Sequence, residues 1–274
     1  MRHLRIFAVL LFIASLVFCI WVNLRYYSNT NADLPVITGG EEVLEVSVKA
    51  GRQALLQGLT AHDNTDGDLT DQIIISSVSH FLEPGVVSVK YVVFDNNHNA
   101  ASLTRKVRFT DYESPRFSLA SPAVYAKGSS FDLLSRIRVE DCIDGDISNR
   151  IRVITNMVNS FSAGVYPVTL EVTNSCGDLV QMTLWVTVLD RENTAAIALK
   201  EHIVYLEQGA SFDPHGLITS VTDQAGAYLS KEQVDIKGSI DTNTPGSYRL
   251  TYSYADDRVW GQTAITVVVT GKEA

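Results

Sequence analysis

Catalytic signatures are the first thing this 274-residue chain lacks. It has no Gly-x-Ser-x-Gly elbow, no His-Glu-x-x-His helix and no glycine loop of the kind that cradles phosphate. A hydrolase built on this chain would have to take its acid and base from unrelated loops. Helix-period apolar stripes are scarce beyond the first 25 residues, while Leu, Ile, Val, Thr and Tyr abound, which excludes a helical bundle and favours an all-β class. Basic charge is short as well. Arg2, Arg5 and Arg25 are the only formal charges before residue 33, leaving 19 of the 22 basic residues against all 31 acidic ones, a net charge of −12. Such a surface repels a phosphate backbone, so nucleic acid is excluded as a partner, and acidity is read as keeping an exported protein soluble.

The one long apolar run is Ile6 to Val22, 17 residues without a charge. At about 1.5 Å per residue it nearly spans a ~30 Å hydrocarbon core once Asn23 and Leu24 are added. Trp21, Tyr26 and Tyr27 suit the far interface, and Arg2, Arg5 and the amino terminus outweigh Arg25, which keeps the N-terminus cytoplasmic. Residues 1–27 are therefore expected to be a short cytoplasmic stub and an uncleaved transmembrane signal-anchor. The rival reading is a cleaved signal peptide, for which Thr30-Asn31-Ala32 is the one faint site. Bulky Phe18 argues against a lipoprotein site at Cys19, which reads as an apolar membrane residue. A polar linker follows over 28–34.

The remainder repeats itself. Asp63-Asn64-Thr65-Asp66-Gly67-Asp68 returns as Asp141-Cys142-Ile143-Asp144-Gly145-Asp146, and a worn copy begins at Asp223; the steps are 78 and 82 residues. That is the length of a small domain and too long for a solenoid repeat. Three modules are predicted, over 35–111, 115–190 and 195–271. In each, a turn (Glu83-Pro84-Gly85, Ser162-Ala163-Gly164, Thr244-Pro245-Gly246) precedes a strand of period two. Val87, Val89, Tyr91 and Val93 share one face, as do Tyr166, Val168, Leu170 and Val172, and Tyr248, Leu250, Tyr252 and Tyr254. About seven short strands per module make a two-sheet sandwich. Tyr112 to Pro115 and Arg191 to Thr194 read as short junctions, which predicts modules stacked end to end.

Asp-Asn-x-Asp-Gly-Asp, then Pro-Gly-x-x-x-Val-x-Tyr, then a strand closing on Asp before an Asn/Gly turn, resembles the bacterial immunoglobulin-like module of Gram-positive surface proteins and certain insecticidal crystal toxins. By motif the likeness is fullest in module one, good in module two and weakest in module three. It implies tandem immunoglobulin-like sandwiches on an exported protein, and no catalysis.

The candidate site residues lie in two loops at one end of each sandwich. Asp63, Asp66, Asp68, Asp95 and Asn99 are expected to converge in module one, and Asp141, Asp144, Asp146, Asn174 and Asp178 in module two. Hard oxygen ligands in that number suit calcium. The same residues also make Asx-turns and cap loop amides, with Gly67 and Gly145 supplying positive φ, and no other cofactor is expected. An EF-hand is excluded, because setting Gly67 sixth puts Ile73 twelfth. Cys142 and Cys176 stand in neighbouring loops as a matched pair, so a disulfide is the expected state in an exported chain, with two separate thiols as the alternative. His62 and His98 lack a third zinc ligand at suitable spacing and read as solvated loop residues. Trp260, with Tyr252 and Tyr254, is a candidate sugar-stacking surface, against the reading of two core tyrosines and one loop Trp.

The whole is read as a bacterial non-catalytic cell-surface stalk, adhesin or envelope-interaction module, partnered by the membrane and an extracellular protein or glycan. The alternative is a glycan-binding accessory to a separate enzyme.

Overall fold

The computed structural model describes residues 2–29, 34–40 and 42–271. Thr30-Asn31-Ala32 and most of the linker expected over 28–34 lie outside the described residues, as do the side chains of Arg2, Arg5, Tyr26 and Tyr27. The N-terminal run forms helix α1 (Arg2–Asn29), and Ile6, Phe7, Leu10, Phe12 and Phe18 are all exposed on it. Among the described residues no helix is long and apolar enough to cross a membrane; the unbroken stretch of described side chains is 9–25.

Beyond α1 the chain is mostly strand and turn, and the whole divides into two compact units, Met1–Asp111 and Tyr112–Ala274. In the first unit the strands are β1 (Val36–Thr38), β2 (Leu44–Val46), β3 (Thr60–Asp63), β4 (Gly67–Asp68), β5 (Ile74–Val78), β6 (Val86–Phe94) and β7 (Ala100–Phe109), with a one-turn helix α2 (Arg52–Leu55) before β3. One sheet runs β1-β3-β4 and the other β2-β7-β6-β5. The first strands part company: β1 pairs antiparallel with β3, whereas β2 pairs parallel with β7. The period-two row on β6 is the core, with Val87, Val89, Tyr91 and Val93 fully buried. Their alternation leaves no other face for them once the second sheet covers one side.

Arg105 stands opposite Val89 on that inner row and is only 6% exposed. Among the described residues no carboxylate pairs with it in this position. Its Nη1 donates to the Gln57 carbonyl at 2.8 Å and Nη2 to that of Leu55 at 2.5 Å, while its guanidinium lies 5.4 Å from the Tyr91 ring centre. The Tyr91 hydroxyl donates to the same Leu55 carbonyl at 2.6 Å. The carbonyls that α2 leaves unpaired at its C-terminal end are thus met by two inward side chains.

The second unit holds two further sets of strands. The first set is β8 (Arg116–Leu119), β9 (Val124–Ala126), β10 (Ile137–Asp141), β11 (Gly145–Asp146), β12 (Arg152–Asn156), β13 (Gly164–Thr173) and β14 (Leu179–Leu189). The second is β15 (Ala195–Leu199), β16 (Ile203–Glu207), β17 (Ile218–Asp223), β18 (Asp235–Lys237), β19 (Gly246–Ala255) and β20 (Trp260–Thr270). Both keep the plan of the first unit: sheets β11-β10-β8 with β12-β13-β14-β9, and β15-β17 with β16-β20-β19-β18. The architecture is all-β, built of sandwich-like sheet pairs in tandem.

Within this unit modules two and three meet along strands, not through loop tips as end-to-end stacking would require. Ile203, Tyr205 and Val268, on the outer face of the third module's larger sheet, pack into the module-two core. The Tyr205 hydroxyl accepts from the Phe117 amide at 2.7 Å, Ser247 Oγ accepts from the Thr183 amide at 3.3 Å, and Arg249 donates to Thr187 Oγ1 at 3.0 Å. Composition allows it: Ala264, Thr266 and Thr251 keep much of that outer face small and neutral, and Arg249, opposite Thr266 on the same face, is bonded to Thr187.

Arg105→Ala should therefore cost module one about 2–4 kcal/mol, by opening a cavity and orphaning the Gln57 carbonyl, while the Leu55 carbonyl keeps the Tyr91 hydroxyl. A denaturant titration of the full chain, read on the module-one transition, checks this; a loss below about 0.5 kcal/mol would show that the bonds carry no weight.

Candidate functional site

The loops that follow β3 and β10 are built by one carboxylate each. Asp63 Oδ1 accepts from the amides of Thr65 and Asp66 at 2.8 and 2.9 Å; Asp141 Oδ1 accepts from those of Ile143 and Asp144 at 2.9 and 2.7 Å. These are Asx-turns, and Gly67 and Gly145 complete them at φ of 78° and 71°. Both glycines take the left-handed conformation that the sequence required.

The second loop, between β6 and β7 or β13 and β14, comes to the same end. Asp66 accepts from the amide and side chain of Asn96 at 2.8 and 2.7 Å, and Asp144 from the amide and hydroxyl of Ser175 at 2.6 and 2.7 Å. Asp144 also pairs with Arg150 at 2.6 Å. Asp95 takes the amide and side-chain nitrogen of Asn99, both at 2.7 Å. His98, in the same turn, carries a positive φ of 66° where Gly177 stands at 82° in module two.

Of the ten predicted residues, Asp68 and Asp146 turn away. Each caps its own strand end, Asp68 on the Thr70 amide and Asp146 on the amide and hydroxyl of Ser148. Those bonds hold both carboxyls below the usual carboxylate range. In Asp95 and Asp144 burial opposes the charge. Hydrogen bonds outweigh it, from Asn99 and the Asn97 amide in one case and from Ser175 and Arg150 in the other, and both carboxyls are lowered. Among the described residues no group of three His, Cys, Asp or Glu side chains is assembled to hold a metal, and His62 and His98 belong to none.

Module two closes its loops with a residue that the sequence reading had placed in a junction. Tyr112 is buried, donates to Asp178 Oδ2 at 2.5 Å and accepts from Asn174 Nδ2 at 3.0 Å. The same Asn174 nitrogen donates to Asp141 Oδ2 at 3.1 Å, while Asn174 Oδ1 accepts from the Cys176 and Asp178 amides. Burial, then the bond to Asp178 and the Asp178 and Asp141 charges, push the Tyr112 phenol far above its usual range. The only sequence signal was an aromatic hydroxyl beside an acidic loop, and the repeat offered no aligned partner for it.

Cys142 and Cys176 sit in the two facing loops, as their matched placement predicted, and no disulfide joins them in this structure. Cys142 Sγ is directed to the Glu113 backbone, donating to its carbonyl at 3.1 Å and accepting from its amide at 3.4 Å. Burial foremost raises the Cys176 thiol, with Asp144 and Asp141 adding to it.

Tyr252 and Tyr254 are core residues, and Trp260 is half-buried with the Arg191 guanidinium 3.8 Å from its ring centre. A sugar-stacking platform needs an open ring face, and this one carries a cation.

Residues 199–268 match the family described as bacterial surface protein, Ig-like domain. The match falls on the third module, the one whose loop has lost Asp-Gly-Asp; what that module retains is the strand framework and the Tyr248-to-Tyr254 row. Among curated proteins, the chain is 30% identical over 212 residues to pesticidal crystal protein Cry22Aa of Bacillus thuringiensis, covering 72% of this chain and 27% of that one. It is 22% identical over 241 residues to an uncharacterized 81.3 kDa protein of Acholeplasma phage L2, covering 83% and 32%. The chain thus spans less than a third of either relative. Solved structures align loosely. A Clostridium perfringens ZmpB fragment with an M60 catalytic domain and two CBM51 domains gives a TM-score of 0.25 at 12% identity, covering 89% of this chain and 31% of that one. Drosophila N-cadherin EC1-3 gives 0.26 at 10% identity, covering 73% and 89%. The bacterial immunoglobulin-like module read from the motifs is the one this chain carries.

Two outcomes are expected. Tyr112→Phe should destabilise the second unit by about 1–3 kcal/mol, since Asp178 and Asn174 each lose a buried partner; equilibrium unfolding measures it. Lowered carboxyls contribute stability above about pH 3.9 and lose it as pH falls through their folded values. The melting temperature should therefore be level from neutral pH and drop below about pH 4, less steeply in Asp144→Asn.

Proposed function

We propose that this chain is a single-pass membrane protein whose immunoglobulin-like modules stand outside the cell as a non-catalytic stalk, adhesin or envelope-interaction module. The observation that supports it most is where the loop carboxylates go. Asp66, Asp95, Asp141 and Asp144 accept hydrogen bonds from neighbouring loops and amides, so in the first two modules these carboxylates are engaged in holding the loops together. The anchor rests on α1, whose apolar side chains are exposed around the helix, and on the charge balance across it.

The partner surface is assigned to the third module's worn loop, where Tyr228 is 83% exposed. Deleting that module is a poor test, because Ile203 and Tyr205 seal the module-two core. Tyr228→Ala is the cleaner change.

Full-length protein should fractionate with membranes and be cut by protease added to intact cells; an intact chain in the cytosol would overturn the anchor. Residues 34–274 used as bait on cell envelopes should retain a protein partner, and Tyr228→Ala should weaken capture at least about tenfold, a hot-spot loss. Retention by purified glycan would instead favour the accessory-module reading.

A further inference from the structure

The geometry points to a hard-cation site in module one, a calcium ion held between the buried carboxylates of Asp63 and Asp95. It stands apart from the surface role proposed above. Modules one and two supply a controlled comparison, because their loops share nearly every bond. Asp63 Oδ1 and Asp141 Oδ1 each accept two amides at the same relative positions. Asp66 and Asp144 each tie the first loop to the second. The second loops turn alike, with Asp95 N donating to the Asn99 carbonyl at 3.0 Å and Asn174 N to that of Asp178 at 3.1 Å.

The difference that matters for a cation falls on one atom. Asp141 Oδ2 receives the Asn174 side-chain nitrogen at 3.1 Å. Asp63 Oδ2, on a side chain 1% exposed, is buried with no hydrogen-bond partner among the described residues. The cause is the residue in Asn174's place. In module one it is Asp95, itself 4% exposed, with its two oxygens turned to Asn99 and no N–H to offer. A carboxylate has taken the position of the amide that would have satisfied Asp63.

Asp63 and Asp95 hold the places that Asp141 and Asn174, bonded at 3.1 Å, hold in module two; two carboxylates so placed repel, and an unpaired anionic oxygen out of water is costly. One cation removes both penalties. Carboxylate oxygens select a hard ion, and calcium tolerates the irregular set of about 6–8 oxygens that a loop end and waters can supply, where magnesium demands a near-ideal octahedron. With two carboxylates and no third metal-binding side chain assembled among the described residues, affinity belongs at the weak end, about 10⁻⁴–10⁻³ M, as in extracellular modules. Module two is not such a site, since Asn174 and Tyr112 already complete it.

The test is thermal unfolding and calorimetric titration of the full chain with calcium chloride, on the natural protein and on Asp95→Asn, with magnesium chloride as control. Calcium up to about 10 mM should raise the module-one melting temperature of the natural protein by several degrees, and magnesium should do markedly less. Asp95→Asn rebuilds the module-two arrangement, so it should melt higher than the natural protein without calcium and show no calcium response. No calcium-dependent shift in the natural protein would overturn the site, as would an unaltered response in Asp95→Asn. A module-one stability that rises on acidification from pH 7 to about 5 while ignoring calcium would place a shared proton there instead, and would equally overturn it.

Discussion

A single carboxylate oxygen accepting two backbone amides sets the geometry on which the polar end of each of the first two modules depends. In the loop after β3 it is Asp63, and in the loop after β10 it is Asp141. The bond pair fixes the turn, the following glycine takes positive φ, and the next acidic residue is delivered to the neighbouring loop. Burial makes the arrangement obligatory, since neither carboxylate could remain where it is without those donors. The third module shows what relaxation of this constraint looks like. Asp223 still accepts from the Ala225 and Ala227 amides, but it is only half-buried and no acidic residue crosses to the other loop.

Much of the fold was legible because strands with one covered face must alternate. The rows at Val87 to Val93, Tyr166 to Val172 and Tyr248 to Tyr254 were read from period two, and most of their members are buried as that pattern requires. The turns before them and the positive-φ glycines were readable for the same local reason. What escaped depends on contacts distant in sequence. Tyr112 looked like linker because its partners Asp178 and Asn174 lie more than 60 residues away. Arg105 carried no sequence signal of its own, and it faces inward to the carbonyls of Leu55 and Gln57, about 50 residues away.

The candidate site was legible in part. Repeat comparison named the loop residues and placed them at one end, but it could not separate those that cross between loops from Asp68 and Asp146, which serve their own strand ends. Nor could it tell proximity from bonding. The cysteines were read correctly as loop neighbours, while the direction of Cys142 towards the Glu113 backbone is set by a segment outside the repeat. The outer face of the third module's larger sheet was hidden for a related reason: small neutral residues such as Ala264 and Thr266 signal nothing until another surface is found against them.

The parallel pairing of an early strand with the last one has a mechanical meaning if the chain is pulled through its termini. In each module that early strand starts at one end and the closing strand finishes at the other, as in β2 with β7 and β16 with β20. Tension applied through the two termini therefore slides the pair lengthwise, and every hydrogen bond between them must yield together instead of peeling in turn. Three residues are so paired in modules one and two, and five in module three. Under pull, the third module would hold longest, and the segment least faithful to the acidic motif is the one most firmly stitched.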